Sequence, residues 1–306
     1  LGDVYKRQVG DFLRETRLRK GYTQEEVSYG ICTPASLSRI ENGAQKPGRL
    51  ILEKLFERLG TENNLFNSFV SKEEMELYLE IQTLIRNVTD GDLQRIEEQI
   101  DIVDRLTKNT SELERQSLFW AKGELATQKY GNNGKAMEYL MKAIQITLPD
   151  FDGKNPLRNH LLTFDEITII NSIAVRHAEN TSLLTAIQLD MWLKEYMENR
   201  VVDGRMKTAK YPMILYNLSC WFGSEHCHKE ALDIANQGVD FCVKYGNLVA
   251  FPRLILNQGI ASVELGQIDN AKKYLHQAVT IFETMKRMDT VEYITTWCRN
   301  EYQIEI

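Results

Sequence analysis

Residues of the types that do chemistry are common in this 306-residue chain, but few are spaced to act together. His226, Cys227 and His228, with Cys220 nearby, form the densest set of metal-ligand types. Successive helical residues diverge by about 100°, so these three cannot converge on one ion, and no metal site is expected. The chain also lacks a phosphate-cradling glycine loop, a nucleophile elbow and a Cys/His pair with a supporting acid. No catalytic residue and no cofactor are therefore expected, and the chain reads as a non-enzyme. Acidic runs such as Glu73-Glu74-Glu76 and Asp165-Glu166 read as charge on solvated helix faces.

A more orderly set is made of amides. Asn217 and Asn257 each stand two residues before a small residue, Ser219 and Gly259, in segments of matching pattern, and Asn171 stands three before Ala174. A carboxamide offers one acceptor and two donors, which suits it to pair with the N–H and C=O of an extended peptide whatever its sequence. Tyr216, Arg253 and Tyr211 are candidates to add side-chain contacts, while local hydrogen bonding on solvated faces is the plainer role for the amides.

The other candidate surface is Thr33–Gly43, TPASLSRIENG. Thr33 is a good N-cap, Pro34 takes the first helical position, where a missing N–H costs nothing, and Gly43 ends the helix. Leu37 and Ile40, spaced i, i+3, are its only large apolar side chains. One narrow face is thus buried, and Ala35, Ser36, Ser38 and Arg39 stay outside or at the edge.

The flanking elements position this helix. Val9, Phe12 and Leu13 pattern a helix that ends at Gly21 after the basic run Arg17-Leu18-Arg19-Lys20, suited to the negative end of a helix dipole. Thr23 and Glu26 form a capping box for a two-turn helix that stops before Gly30. Leu50, Leu52, Leu55, Phe56 and Leu59 pattern a closing helix. Two short helices joined tightly inside a helical bundle make a helix-turn-helix, and small outward side chains let its second helix approach base edges closely.

Charge agrees with that division. The net charge of −6 breaks into +2 over residues 9–60, −9 over 61–306 and +1 over the first eight. A small module touching a polyanion, joined to a larger one that does not, has this asymmetry. Residues 1–8, LGDVYKRQ, lack an initiator Met and precede the first periodic pattern, so they are set outside the fold. No run of about 20 uncharged apolar residues occurs, so no membrane association is expected and the cytoplasm is the expected compartment. Five cysteines, Cys32, Cys220, Cys227, Cys242 and Cys298, are odd in number and scattered, and read as small buried hydrophobes in a reducing compartment.

TQEEV, SLSRIENG and the following Lys46-Pro47 resemble the Cro/repressor-type helix-turn-helix family over about 50 residues, with Val27 for the usual Leu and Ser28 for the usual small Ala. The resemblance implies double-stranded DNA as partner. Gln24, with Thr23 at the same helix start, would meet a phosphate at the helix N-terminus. Ala35, Ser36 and Arg39 would face the major groove, Arg39 reading guanine O6 and N7. Thr33 and Lys46 would hold backbone phosphates, and Glu41 would tie the turn without touching DNA.

Beyond Thr61 the pattern is helical throughout. In LILNQGIASVELGQIDNAKKYLHQAVTIFE, Gly259, Ala271 and Ala278 have the small-residue spacing of a tetratricopeptide repeat, with Gly266 in the turn. Gly123, Ala136, Leu140 and Ala143 fit the same ruler, as do Ser219, Ala231, Ala235 and Gly238, and more loosely Ala174 and Ala186. Glu73–Asn87 and Leu93–Leu106 read as an atypical opening pair, and Val291–Glu301 as a terminal cap. The expected fold is all-α, a helix-turn-helix bundle over residues 9–60, a linker over 61–72 and a tetratricopeptide-like α-solenoid over 73–306. That layout resembles the Rgg/PlcR/PrgX group, peptide-pheromone-responsive regulators of Gram-positive bacteria. The resemblance implies a homodimer formed through the repeats, a palindromic operator, and a short peptide in a concave groove near Asn171, Asn217 and Asn257. The alternative is a repeat domain that grips a protein partner or serves only as a dimer scaffold.

Overall fold

Capping chemistry starts the short helices where the sequence places them. The structure, a computed structural model, describes residues 2–61, 72–108, 110–200 and 202–306. Helix α1 covers Gly2–Arg19, and Gly21 leaves it at φ 74°. Residues 2–8, set outside the fold above, thus belong to α1: LGDVYKRQ contains no proline, so nothing stops the helix of Val9 from running back to Gly2. Helix α2, Gln24–Ser28, begins at the Thr23–Glu26 capping box. Helix α3, Pro34–Glu41, begins with the Thr33 hydroxyl accepting the Ser36 N–H at 3.1 Å and ends before Gly43, φ 69°. Helix α4 spans Arg49–Arg58. Val9, Leu13, Val27, Leu37, Ile40, Leu55 and Phe56 close one core among the four helices.

The expected linker, 61–72, falls almost wholly on 62–71, outside the described residues. The opening pair follows as α5, Lys72–Asp90, and α6, Leu93–Leu106. A 3₁₀ turn at Glu112–Arg115, which the periodicity does not announce, leads into α7, Gln116–Gln128. Then come α8 (Asn133–Gln145), α9 (Phe164–Asn180) and α10 (Leu183–Asn199), followed by α11 (Gly204–Ser224), α12 (His228–Tyr245), α13 (Phe251–Glu264), α14 (Ile268–Thr284) and α15 (Met288–Tyr302). No strand occurs among the described residues. The fold is all-α, a helix-turn-helix bundle followed by tetratricopeptide-like repeats. The turn alanines Ala136, Ala186, Ala231 and Ala271 each sit at the fourth position of their helix, α8, α10, α12 and α14, and all four are buried. The uneven spacing between them therefore lies in helix and loop lengths, not in register.

The chain divides into two compact units, residues 1–189 with 199–203, and residues 190–198 with 204–306. Within the first, α4 is fastened to the start of α9 by buried charge. Lys54 Nζ donates to Asp165 Oδ2 at 2.7 Å and to Gln116 Oε1 at 3.0 Å, and Arg58 Nη2 donates to Glu166 Oε1 at 2.7 Å. The Phe164 N–H donates to Glu57 at 3.0 Å. Asp165-Glu166 is thus no solvated run: Glu166 is fully buried and Asp165 is mostly so. Their partners lie more than a hundred residues away, beyond the reach of any local charge pattern. Removing one member of such a pair leaves its partner as an uncompensated buried charge, at a cost of about 3–5 kcal/mol.

Within the second unit, helices α11 to α15 pack in sequence, each against the next. The α13–α14 contact requires Gly259, because a Cβ there would stand 2.6 Å from a Leu275 methyl and 3.2 Å from the Leu275 backbone nitrogen. Cys242 and Cys298 are buried as expected, but Cys227 is exposed, because it caps α12 from the preceding loop instead of facing a helix interior. Among the described residues no helix is long and apolar enough to cross a membrane. Gly259→Ala is expected to destabilise the chain by about 1–3 kcal/mol through overpacking, despite the better helix propensity of alanine. In urea unfolding its cost and that of Leu275→Ala should be less than additive, since the smaller side chain makes room for the new methyl.

Candidate nucleic-acid interface

Helix α3 has only Leu37 and Ile40 to bury, and a buried ion pair supplies what apolar contact lacks, a fixed direction. Arg17 Nε donates to Glu41 Oε1 at 2.6 Å and its Nη2 to Oε2 at 2.8 Å, a two-pronged contact from α1 to the end of α3. Gln24 Nε2 donates to the same Oε2 at 2.7 Å, so α2 joins them, and Arg17 Nη1 caps the Tyr22 carbonyl at 3.0 Å. Glu41 is only 2% exposed, which fits the tying role expected of it. Its partner Arg17 was legible only as one of a basic run. At Gly10 the backbones of α1 and α3 nearly touch: a Cβ there would fall 2.3 Å from the Ile40 carbonyl oxygen.

The opposite side of α3 is open. Ala35 and Arg39 are exposed, Ser36 and Ser38 are partly so, and Lys46 is exposed beyond the turn. Arg39 is spread across this face, with Nε donating to Gln45 Oε1 at 3.1 Å and Nη2 to Ser36 Oγ at 3.3 Å. The Arg39 carbonyl in turn accepts the N–H groups of Ala44 and Gln45. Gln45 escaped sequence reasoning; its position two residues past the helix-ending Gly43, where the turn folds back toward Arg39, is the signal that was available. A guanidinium beside a hydroxyl on a narrow exposed helix can donate two parallel hydrogen bonds to paired acceptors such as guanine O6 and N7. The threonines are committed differently. Thr33 donates its hydroxyl to Ser36 Oγ at 3.0 Å, while Thr23 gives both its N–H and its hydroxyl to Glu26, which holds the Glu26 carboxyl below its usual range. Both act first as helix caps.

Among the candidate peptide-site residues, Asn171 lies on α9 in the first unit, half-buried. Asn217 lies on α11, and Asn257, Tyr216 and Arg253 cluster with Cys220 where α13 meets α11. Asn257 is buried, and its Nδ2 donates to Ser219 Oγ at 2.5 Å and lies 3.2 Å from Cys220 Sγ. Its donors are therefore turned into the α11–α13 contact instead of standing open. Asn217 Nδ2 donates to Asp190 Oδ2 on α10 at 3.3 Å. Asp190 is fully buried with Oδ1 unpartnered, and burial drives its carboxyl well above the usual range. Arg253 lies over the Tyr216 ring at 5.8 Å, and burial with the adjacent Cys220 pushes the Tyr216 hydroxyl up to about 12. Tyr211 is also buried, its hydroxyl bonded to Glu198.

Comparison with known proteins places this geometry. A family described as a helix-turn-helix domain matches residues 8–69. The HTH-type transcriptional regulator YqaF of Bacillus subtilis (strain 168) is 38% identical over 63 residues, 20% of this chain and 83% of that protein. The chain belongs to the helix-turn-helix transcriptional regulators. Beyond that domain, the crystal structure of Bacillus thuringiensis PlcR with the peptide PapR7 and DNA matches 94% of this chain and 99% of its own, at 18% identity and a TM-score of 0.61. Apo PlcR matches 95% of this chain and 98% of its own, at 18% identity and a TM-score of 0.58. The shared fold thus runs through the repeats as well as the helix-turn-helix. For this regulator, Glu41→Ala is expected to lower stability by about 3–5 kcal/mol by stranding the buried Arg17 guanidinium. Thermal unfolding checks it, and Arg39→Ala, made on the exposed face, should leave the midpoint nearly unchanged.

Proposed function

We propose that this chain is a sequence-specific DNA-binding transcription regulator that reads its operator with α3 and answers to a short peptide held by the repeats. The observation that carries the DNA reading is the exposed face of Ala35, Ser36 and Arg39 on a helix whose other side is locked by Arg17 and Glu41. Arg39 is the base reader and Lys46 a phosphate contact, while Gln24, Thr23 and Thr33 border the phosphate path at the two helix N-termini. The protein works by binding rather than catalysis, in the cytoplasm, as a homodimer on a palindromic operator. Two copies of α3 then sit about one duplex turn, roughly 34 Å, apart.

The peptide reading is supported by the likeness in fold to PlcR, which has been crystallised with both a peptide and DNA. Asn171, Asn217, Asn257, Tyr216 and Arg253 are the side chains proposed to meet the peptide in a concave groove of the repeats. A second reading, repeats that grip a protein partner or only dimerise, is favoured by the Asn217–Asp190 and Asn257–Ser219 bonds, which turn two of the amides toward neighbouring helices.

An operator selected from random duplex DNA tests the first reading. Arg39→Ala is expected to relax preference at one base pair by about 1–3 kcal/mol, and Lys46→Ala to weaken all sequences alike and lower the salt slope by about one. Binding with no salt dependence in the unaltered protein would sink the DNA reading. Pools of short peptides, followed by tryptophan fluorescence and operator affinity, separate the two readings of the repeats. A response that Asn217→Ala abolishes while basal operator binding survives supports the peptide; no response to any pool, with another protein co-purifying, supports the partner.

A further inference from the structure

A cavity of about 290 Å³ lies behind α4, walled by α4, α5, the Glu112–Arg115 turn, α7 and the start of α9. It is separate from both the face of α3 and the repeat amides. Its volume equals that of about ten waters at roughly 30 Å³ each, room for a small organic molecule. One side is apolar, formed by Leu77, Ile81 and Ile85 of α5 with Leu113 of the turn. The other carries Lys54 and Glu57 of α4 and Asp165 of α9.

The charged side is short of a cation. The Lys54 ammonium is taken by Asp165 at 2.7 Å and Gln116 at 3.0 Å. Glu57, half-buried at the wall, accepts the Phe164 N–H, but among the described residues no lysine or arginine forms an ion pair with it. The remaining charged lining residues, Arg49, Glu53 and Glu114, add one cation and two acids, and the Arg49 guanidinium lies over the Tyr78 ring at 3.6 Å. Burial pushes Glu57 up to about 8, the nearby Lys54 ammonium opposing that rise and the Asp165 and Glu53 charges adding to it, so the carboxyl keeps its proton at neutral pH.

We propose that this cavity binds a small organic amine, its ammonium beside Glu57 and Asp165 and its apolar body against α5. The arriving ammonium takes the place of the Glu57 proton, which leaves to solvent, so the buried charge balance is the same before and after. An alcohol of the same shape fills the apolar half but leaves Glu57 protonated and gains no ion pair. A carboxylate adds a further negative charge to a site already rich in acids. Because Leu55 and Phe56 of the same helix are buried in the core of the DNA-binding bundle, occupancy bears on the wall that also supports α3. The site does not depend on the peptide reading.

Calorimetric titration of the full chain with 2-phenylethylamine, 2-phenylethanol and phenylacetate tests the assignment. One saturable site is expected for the amine, with a dissociation constant lower than the alcohol's by about tenfold or more and no measurable binding of the acid. Glu57→Gln mimics the protonated carboxyl and so keeps the fold, and it should erase the amine's advantage over the alcohol. Ile81→Phe, verified as folded by its thermal midpoint, should fill the apolar wall and abolish both. Absence of any amine binding by the unaltered chain, an amine no tighter than the alcohol, or a full amine preference in Glu57→Gln would each overturn the proposal.

Discussion

The Arg17–Glu41 pair sets the geometry on which the rest of the DNA-binding module depends. Helix α3 is eight residues long and buries two large apolar side chains, each contributing about 1.5–3 kcal/mol by transfer from water. That attraction is strong enough to hold the helix against the bundle but has no preferred rotation about the helix axis. The guanidinium fork does, because both of its bonds must reach one carboxylate held at the C-terminal end of α3. A buried ion pair adds little net stability when its desolvation is counted. Here its contribution is orientation: with Glu41 fixed from α1 and α2, Arg39, two residues earlier, is turned to the opposite face.

The same device recurs at α4, on a larger span of chain. Lys54 and Arg58 reach into the start of α9, where Asp165 and Glu166 follow Phe164, and Arg58 also donates to the Tyr29 carbonyl of the bundle. Glu166 has two duties at once, since it also closes a capping box with Thr163. Sliding α9 past α4 would strand four charges away from water, so the two helices are held to move together or to separate in a discrete step. Such a joint transmits a displacement better than an apolar contact would, because apolar side chains can repack around a small shift.

How much of this was legible in the sequence follows from the range of the interactions. Everything set by neighbours within four residues could be read: the Thr23 and Thr33 caps, Pro34 at the first position and the stop at Gly43; the small residues Gly259 and Ala271, twelve apart, were legible because the repeat fixes their spacing. The exposed set on α3 was legible for the same reason, since it is the complement of Leu37 and Ile40. Contacts across long separations left no local trace. Lys54 and Asp165 look like ordinary surface charges until they are found 111 residues apart and 2.7 Å from each other. Gln45 falls between, close in sequence to Arg39 but on the far side of a turn whose path no periodicity describes.

The repeat amides show where equal spacing and equal role part company. Asn217 and Asn257 occupy matching places in successive repeats, yet their bonds run differently. Asn257 on α13 reaches past α12 to Ser219 on α11, while Asn217 on α11 reaches Asp190 on the adjoining α10. An amide used this way still offers something to a strand laid across it. With the Asn257 donors turned into α11, its Oδ1 takes no hydrogen bond from the described residues and remains as an acceptor. In the peptide reading Asn257 therefore meets backbone N–H groups only, a half-rung that orients the strand without pairing both sides of it. The firmness of that half-rung comes from the interhelical bonds themselves, since a buried amide held by Ser219 has little rotamer freedom left to lose when a ligand arrives.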